Sequence, residues 1–426
     1  MSRFFCSLLA LSYFLKISIS AATEPTPPSE DPWYTAPPHF ASAAPGDILR
    51  IRHAPGNLTS IVGNASAAYN ILFRTTDSHY KPSWAVTTLF IPNSNTSNRV
   101  DAHNASLLSI QFAYNSANVD SSPSYGLYNT LAAPGLGIPP STEDISQTLG
   151  HGWYVNTPDF EGPLASFGLG IQEGHATLDS VRAALSSKLI PHPKSTKYAM
   201  WGYSGGSLAS EWASELQEQY APELAFSGAA LGGMVPNFTN IFDNITGSPY
   251  AGLIPLVLLG STSQDPEARD YLVSRLHQSG PYNASYFLHG LDIDVNTAFG
   301  VYAGQNIYDY FIGGRQDIVG NPILQPIFNR NGYEGFHGVP RFPTFVYKAV
   351  GDEFSRVQDT DALVERWCSV GTPTWYQRNL VGGHIAEITN GRGRAIEWLK
   401  TVFDGTYKPN GCLVEDVTVN ITSITA

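Results

Sequence analysis

The sequence predicts an α/β protein: a mostly parallel central sheet flanked by helices, interrupted late in the chain by a helical insertion. Three observations carry this. An apolar run from Lys197 to Trp201 enters Gly202-Tyr203-Ser204-Gly205-Gly206, and a helix-periodic stretch through Leu208, Trp212 and Leu216 leaves it. Two later strand-like runs end in short polar turns, Gly351-Asp352-Glu353 and Gly382-Gly383-His384. Between residues 233 and 335 regular alternation disappears for a length too great for a loop.

At 426 residues the chain can bury a large core, as one big domain with an insertion or as two or three domains. Only 14% of residues are charged, and the net charge is −12 without a basic tract, which argues against nucleic acid as a partner. Residues 1–20 read as a secretory signal peptide: Arg3, an apolar run from Phe4 to Leu15, and small residues near Ser20 and Ala21. Of three cysteines, Cys6 leaves with that segment. Cys368 and Cys412 remain, either as one disulfide or as two buried thiols. Eight Asn-x-Ser/Thr sequons, at Asn57, Asn64, Asn95, Asn104, Asn237, Asn244, Asn283 and Asn420, add to the expectation of a secreted, extracellular glycoprotein.

The elements follow in order. Residues 21–46 form a Pro/Ala/Ser-rich arm laid over the surface. Residues 47–232 form the first part of the core. Strands are expected at Ala67–Phe73, Pro82–Ile91, Ala105–Phe112 and Thr148–Asn156, and an amphipathic helix at Gly174–Leu185. The 92–104 loop is a surface turn. Ala221–Gly232 returns as a strand of small residues. Residues 233–335 form a helical cap or lid, with helical patterns at Ile254–Leu259, Pro266–Leu276 and Thr297–Phe311. The alternative is an independent domain, though no linker flanks it. Residues 336–426 complete the core through a strand at Pro343–Val350, a helix at Gln358–Cys368, a strand at Thr374–Val381, a helix at Arg394–Phe403 and a tail held by Cys412.

A serine hydroxyl is a weak nucleophile and needs a base, and the base needs a third group to fix its tautomer. Strand, sharp turn and helix around Ser204 are the layout of a nucleophile elbow. The order Ser204, Asp352, His384 is that of α/β-hydrolases, with each residue at the C-terminal end of a strand. The rivals are less well placed. His151 and His175 precede the serine, His277 and His289 lie in the insertion, and His337 sits in a glycine-rich turn. Glu353 points the other way from its neighbour, and Asp361 is mid-helix. Asn115 begins the loop after an early strand. It is either an oxyanion donor, through its N–H or its amide, beside the N–H of Gly205, or an ordinary turn residue. The carboxylates of the 157–163 loop read as structural. No metal or cofactor motif appears, so no cofactor is expected.

Several segments together resemble the fungal secretory lipases, the group of Candida antarctica lipase A: Pro158-Asp159-Phe160-Glu161-Gly162-Pro163, Leu178-Asp179-Ser180-Val181-Arg182-Ala183, the Ser204 pentad, Gly351-Asp352-Glu353 and Gly382-Gly383-His384. The likeness covers roughly residues 33 to 415. It implies an α/β-hydrolase fold with a helical cap, carboxylic ester substrates, the triad Ser204, Asp352 and His384, an oxyanion donor at Gly205, and a Cys368–Cys412 disulfide. The chain departs from the family in two places. Asn115 stands where an acidic residue is usual, and an earlier disulfide is missing at Ser121-Ser122.

The leading expectation is a secreted, monomeric serine lipase acting at a lipid–water interface. A short-chain esterase or metabolite deacetylase is the first alternative. A serine peptidase would want paired acidic residues in the cap, and a non-catalytic binding protein would want a broken triad.

Overall fold

The computed structural model describes residues 24–93, 105–128 and 141–421. The signal segment, Asn95 and Asn104 lie outside the described residues. The sheet has ten strands in the order β1-β2-β3-β5-β4-β6-β7-β8-β9-β10. These are β1 (Ile48–His53), β2 (Ala65–Thr76), β3 (Pro82–Pro92), β4 (Ser106–Gln111), β5 (Tyr154–Pro158), β6 (Lys197–Tyr203), β7 (Gly228–Gly232), β8 (Thr344–Ala349), β9 (Thr374–Asn379) and β10 (Cys412–Val417). β1, β2 and β3 pair antiparallel, and β3 joins β5 antiparallel. From β5 across to β10 all pairings are parallel. The central parallel strands β4 to β8 are buried on both faces, so β6 and β8 read as largely apolar runs rather than alternations.

Helices cover both faces. On one lie α2 (Gly170–Ser186) and α3 (Gly205–Tyr220), with α4 (Val357–Ser369), around Leu178, Met200, Trp212, Val346 and Trp367. On the other lie α1 (Thr142–Gly150) and α5 (His384–Phe403), around Ile145, Leu149, Trp201, Phe345 and Trp398. Truncating such a side chain, as in Leu178→Ala, typically costs about 2–5 kcal/mol. Between β7 and β8 the chain forms a run of short helices, including Phe238–Ile245, Leu253–Ser261, Pro266–Ser274 and Val295–Val301, around their own apolar cluster. That cluster also takes in Phe167, Leu169 and Phe354 from neighbouring core loops. The insertion therefore shares its interior with the rest of the molecule.

Several boundaries differ from the sequence reading: the strand expected at Ala221–Gly232 covers only Gly228–Gly232, and the helix expected at Gly174–Leu185 begins at Gly170. Thr148 and Leu149 belong to α1, which is capped by Ser141, and Gly152 (φ 81°) turns the chain into β5, so the strand starts at Tyr154 rather than Thr148. An apolar pair at a helix end and one at a strand start look alike in sequence. α5 begins at His384, ten residues before the expected start. The tail beyond residue 408 is a strand, β10, in register with β9 from Cys412↔Thr374 to Val417↔Asn379. The Cys368–Cys412 disulfide, with Cα atoms 5.5 Å apart, ties that edge strand to the end of α4. Asn57, Asn64 and Asn420 are exposed, whereas Asn237, Asn244 and Asn283 are half-buried. Among the described residues no helix is long and apolar enough to cross a membrane.

The core holds an unusual set of buried carboxyl groups. Burial pushes Glu173 up to about 8, against the opposing N–H of Gly168, and Asp159 up to about 7. Burial and neighbouring carboxylates also raise Glu161, Glu211 and Glu334 well above the ordinary value. Neither carboxyl oxygen of Glu211 or of Glu334 has a hydrogen-bond partner. Such groups are tolerated when they keep their proton.

Two predictions follow from this packing. Below the ordinary value of 4.5, folded and unfolded Glu173 both hold a proton. Between 4.5 and about 8 only the folded state does, so stability falls as pH rises. Buried His175, lowered to about 4, acts oppositely, as do His151 and His337, which burial also lowers, but the raised carboxyls outnumber them. Thermal melts should therefore give a higher midpoint near pH 5 than near pH 8, with a smaller difference in Glu173→Gln. A midpoint that climbs over this range would contradict the assignment. Replacing both disulfide cysteines by serine should remove about 2–4 kcal/mol in denaturant unfolding, with β10 becoming the first site of proteolysis. An unchanged midpoint would mean that the β9–β10 ladder alone holds the edge.

Candidate active site

β6 delivers Ser204 to the top of the sheet, and α3 starts at the next residue. Ser204 stands at φ 55°, ψ −123°, a conformation that side chains rarely adopt and that marks the nucleophile elbow. Small neighbours make it feasible. A Cβ at Gly202 would run into the carbonyl of Gly206, and one at Gly206 would meet that of Gln111 in β4. Ser204 N–H donates to the Gly232 carbonyl at 2.9 Å, which pins the turn to β7.

Asp352 follows β8 and His384 opens α5. His384 Nε2 lies 2.8 Å from Ser204 Oγ, and its Nδ1 lies 2.7 Å from Asp352 Oδ2. His384 is 2% exposed. Phe354 lies against its ring at 4.5 Å between centroids, and Tyr203 lies on it at 5.2 Å. Tyr203 donates its hydroxyl to the His384 carbonyl at 2.6 Å. Glu353 accepts the His384 N–H at 2.7 Å, so it orients the helix start rather than the imidazole. Burial pushes the Asp352 carboxyl up, but His384 and the Lys348 ammonium outweigh it, and the group stays well below the ordinary carboxylate value.

Asn115 is buried and takes the left-handed conformation (φ 46°) just after β4. Its backbone N–H acts on the buried carboxyl of Glu161, which also accepts the Ser116 N–H at 3.4 Å. The side-chain amide is the polar group of Asn115 that this contact leaves over. It lies against Gly205, with Oδ1 lacking a hydrogen-bond partner. A small pocket of ≈20 Å³ joins these residues, lined by Ala113, Asn115, Tyr203, Ser204, Phe299, Phe354, His384, Ile385 and Ile388. Phe299 comes from the insertion, the others from the core.

The rival residues have other occupations. His151 stacks on Trp153, His175 on Tyr220, and His337 lies against Trp212. His289 faces Asp292, and His277 lies beside the 310-turn of Tyr310 through its N–H. Asp361 pairs with Arg378. Among the described residues no group of His, Cys, Asp and Glu is arranged to hold a metal ion. Sequence reasoning missed Lys348, Phe299 and Phe354. For Lys348 a signal was available: it is the one charged residue in the otherwise uncharged run Thr344–Ala349. The two phenylalanines gave none, because many aromatics in the chain look the same.

The family model for the secretory lipases matches residues 136–411. The trichothecene C-3 esterase of Fusarium sporotrichioides is 46% identical over 99% of this chain and 95% of its own length. A "probable trichothecene esterase" of Stachybotrys chartarum is 48% identical over 94% of this chain and 82% of its own. Among solved structures, Candida antarctica lipase A superposes with a TM-score of 0.80 at 26% identity, covering 94% of this chain and 91% of its own. The fold is that of the α/β-hydrolases, and the chemistry is hydrolysis of carboxylic esters. The protein belongs to the secretory lipase family.

Proposed function

We propose that this protein is a secreted serine esterase that removes a short acyl group, such as acetyl, from a bulky alcohol of the trichothecene type, through an acyl-enzyme on Ser204. The observation that carries the acyl-size reading is the ≈20 Å³ pocket beside Ser204, closed by Phe299, Phe354 and Ile388. It has room for about one water-sized group, which suits a methyl and excludes a fatty chain. The two trichothecene esterases among its relatives favour the same substrate class.

In this mechanism Ser204 Oγ attacks the ester carbonyl as His384 Nε2 takes its proton. Asp352 holds His384 Nδ1–H and stabilises the imidazolium. The carbonyl oxygen gathers charge opposite the N–H of Gly205, one of the first-turn N–H groups of α3 that have no intrahelical partner. A half-turn of the Asn115 amide brings its NH₂ to the same place. The intermediate collapses, His384 gives its proton to the leaving alcohol, and water repeats the sequence on the acyl-enzyme. The insertion at 233–335 acts as the cap. Exposed Asn57, Asn64 and Asn420 are the best-placed glycan acceptors.

A second reading, a lipase for longer acyl chains, is favoured by the family and by the apolar interior that the cap adds next to Phe299 and Phe354. It requires the cap to move.

The deciding experiment is hydrolysis of p-nitrophenyl acetate, octanoate and palmitate by the purified protein and by Ser204→Ala. The acetate should be preferred by roughly tenfold or more, the discrimination expected of a closed apolar pocket. The serine variant should lose roughly 10⁶-fold in kcat. A preference for octanoate or palmitate would transfer the reading to a lipase, and an active Ser204→Ala would remove the serine mechanism. Asn115→Ala should lower kcat by roughly 10²–10³ with KM little changed. Asn115→Asp should work only at acid pH, where its carboxyl carries a proton to donate. Equal activity of Asn115→Asp at pH 5 and pH 8 would show that this side chain does not serve the oxyanion.

A further inference from the structure

Asp352 is served by four donors. The N–H groups of Phe354 and Ser355 both bond Oδ1 at 2.9 Å. His384 Nδ1 and Lys348 Nζ share Oδ2, at 2.7 Å and 2.8 Å. Lys348 makes one further bond, to the Met234 carbonyl at 2.9 Å, and both side chains of the ion pair are 0% exposed. A buried ammonium is costly unless it is paired, and an apolar residue would fill the same space at lower cost. The family's chemistry needs Asp352 ionised, and it is already served there by two N–H groups and an imidazole. The cation on the same oxygen therefore calls for an explanation beyond packing.

The surrounding charges sharpen the point. Lys348 acts next on Glu334, which burial and Glu215 push well above its ordinary value. Asp352 is faced by Tyr203 on β6, Tyr376 on β9 and Glu387 on α5, while Glu353 is engaged with the His384 N–H. Lys348 is the cation that meets Asp352 apart from the imidazole when it is charged. When His384 accepts the Ser204 proton, two cations meet one carboxylate oxygen. The ammonium has already neutralised part of that charge and repels the imidazolium across the shared oxygen.

We propose that Lys348 is a positioning residue of this active site: by holding the oxygen of Asp352 that also carries His384, it locks the carboxylate and extends activity toward acid pH. The proposal rests on Ser204, Asp352 and His384 acting as the triad. Lys348 touches neither substrate nor the reacting atoms and acts through Asp352.

The test is the pH profile of kcat/KM for p-nitrophenyl acetate from about pH 4 to about pH 9, for wild type and Lys348→Met, per site titrated with a phosphonate ester. The acid limb should move up by about one pH unit, a roughly tenfold loss at a pH on the limb, while KM and the alkaline plateau change less. The downfield Nδ1–H proton resonance of His384 should shift as well. Titratable Lys348→Met with an unmoved limb overturns the proposal. If that variant yields no titratable sites, Lys348→Met/Asp352→Asn decides. Recovery of near-UV dichroism and a cooperative melt once both charges are gone supports the pairing. A double variant as unfolded as the single one overturns it, because Lys348 then serves packing alone. An active Ser204→Ala would sink the triad itself, whereas an inactive Ser204→Ala beside an unmoved limb sinks only the role of Lys348.

Discussion

The backbone of Ser204 is the constraint on which the rest of the site depends. A serine at φ 55° between a strand and a helix is strained, and strain persists only where the surroundings over-determine it. Here β6 fixes the residue before it, α3 the residue after it, and the Gly232 carbonyl its own N–H. The absence of side chains at positions 202 and 206 lets strand, turn and helix pass within contact of β4. The same turn lifts Oγ toward His384 and leaves the first N–H groups of α3 without an intrahelical partner, so both features come from one local conformation.

The base and its orienting acid reach that point by a different route. Both leave C-terminal ends of parallel strands on the far side of the insertion in sequence, and the parallel pairing of β7, β8 and β9 brings those ends beside the elbow. The histidine is then enclosed on several sides: Asp352 on one nitrogen, Ser204 on the other, Phe354 and Tyr203 against the ring, and Glu353 on its backbone. An imidazole so confined has one orientation, which is what proton transfer in both directions requires. Burial strengthens the ion pair at Asp352 and also makes any unpaired charge expensive, and the protonated carboxyls of the core follow the second of these rules.

Specificity belongs to another part of the molecule. Ser204 and His384 come from the core, while the other residues that line the pocket come partly from the insertion, through Phe299, and partly from the turn after Asp352, through Phe354. The insertion and the core share an apolar cluster, so changes in the sequence of the insertion can resize the pocket without disturbing Ser204, Asp352 or His384. One framework can in this way serve different ester substrates in different members.

The sequence by itself determined the α/β architecture, the nucleophile elbow, and the chain order in which acid and base follow the serine. These are local signals: hydrophobic period, glycines at a turn, and a polar residue at the end of an apolar run. It also pointed to Asn115 but left open which of its groups faces the serine. The backbone N–H of Asn115 acts on Glu161, a contact between residues distant in sequence that no local pattern records. Only the tertiary structure decided the pocket's size, the second cation on Asp352, and the use of the tail as β10. Each of these depends on which side chains meet across elements far apart in sequence, and neither spacing nor composition records that. The start of β5 was misplaced for the converse reason: Thr148 and Leu149 fit either period, and the Ser141 cap and the turn at Gly152 resolve them into a helix.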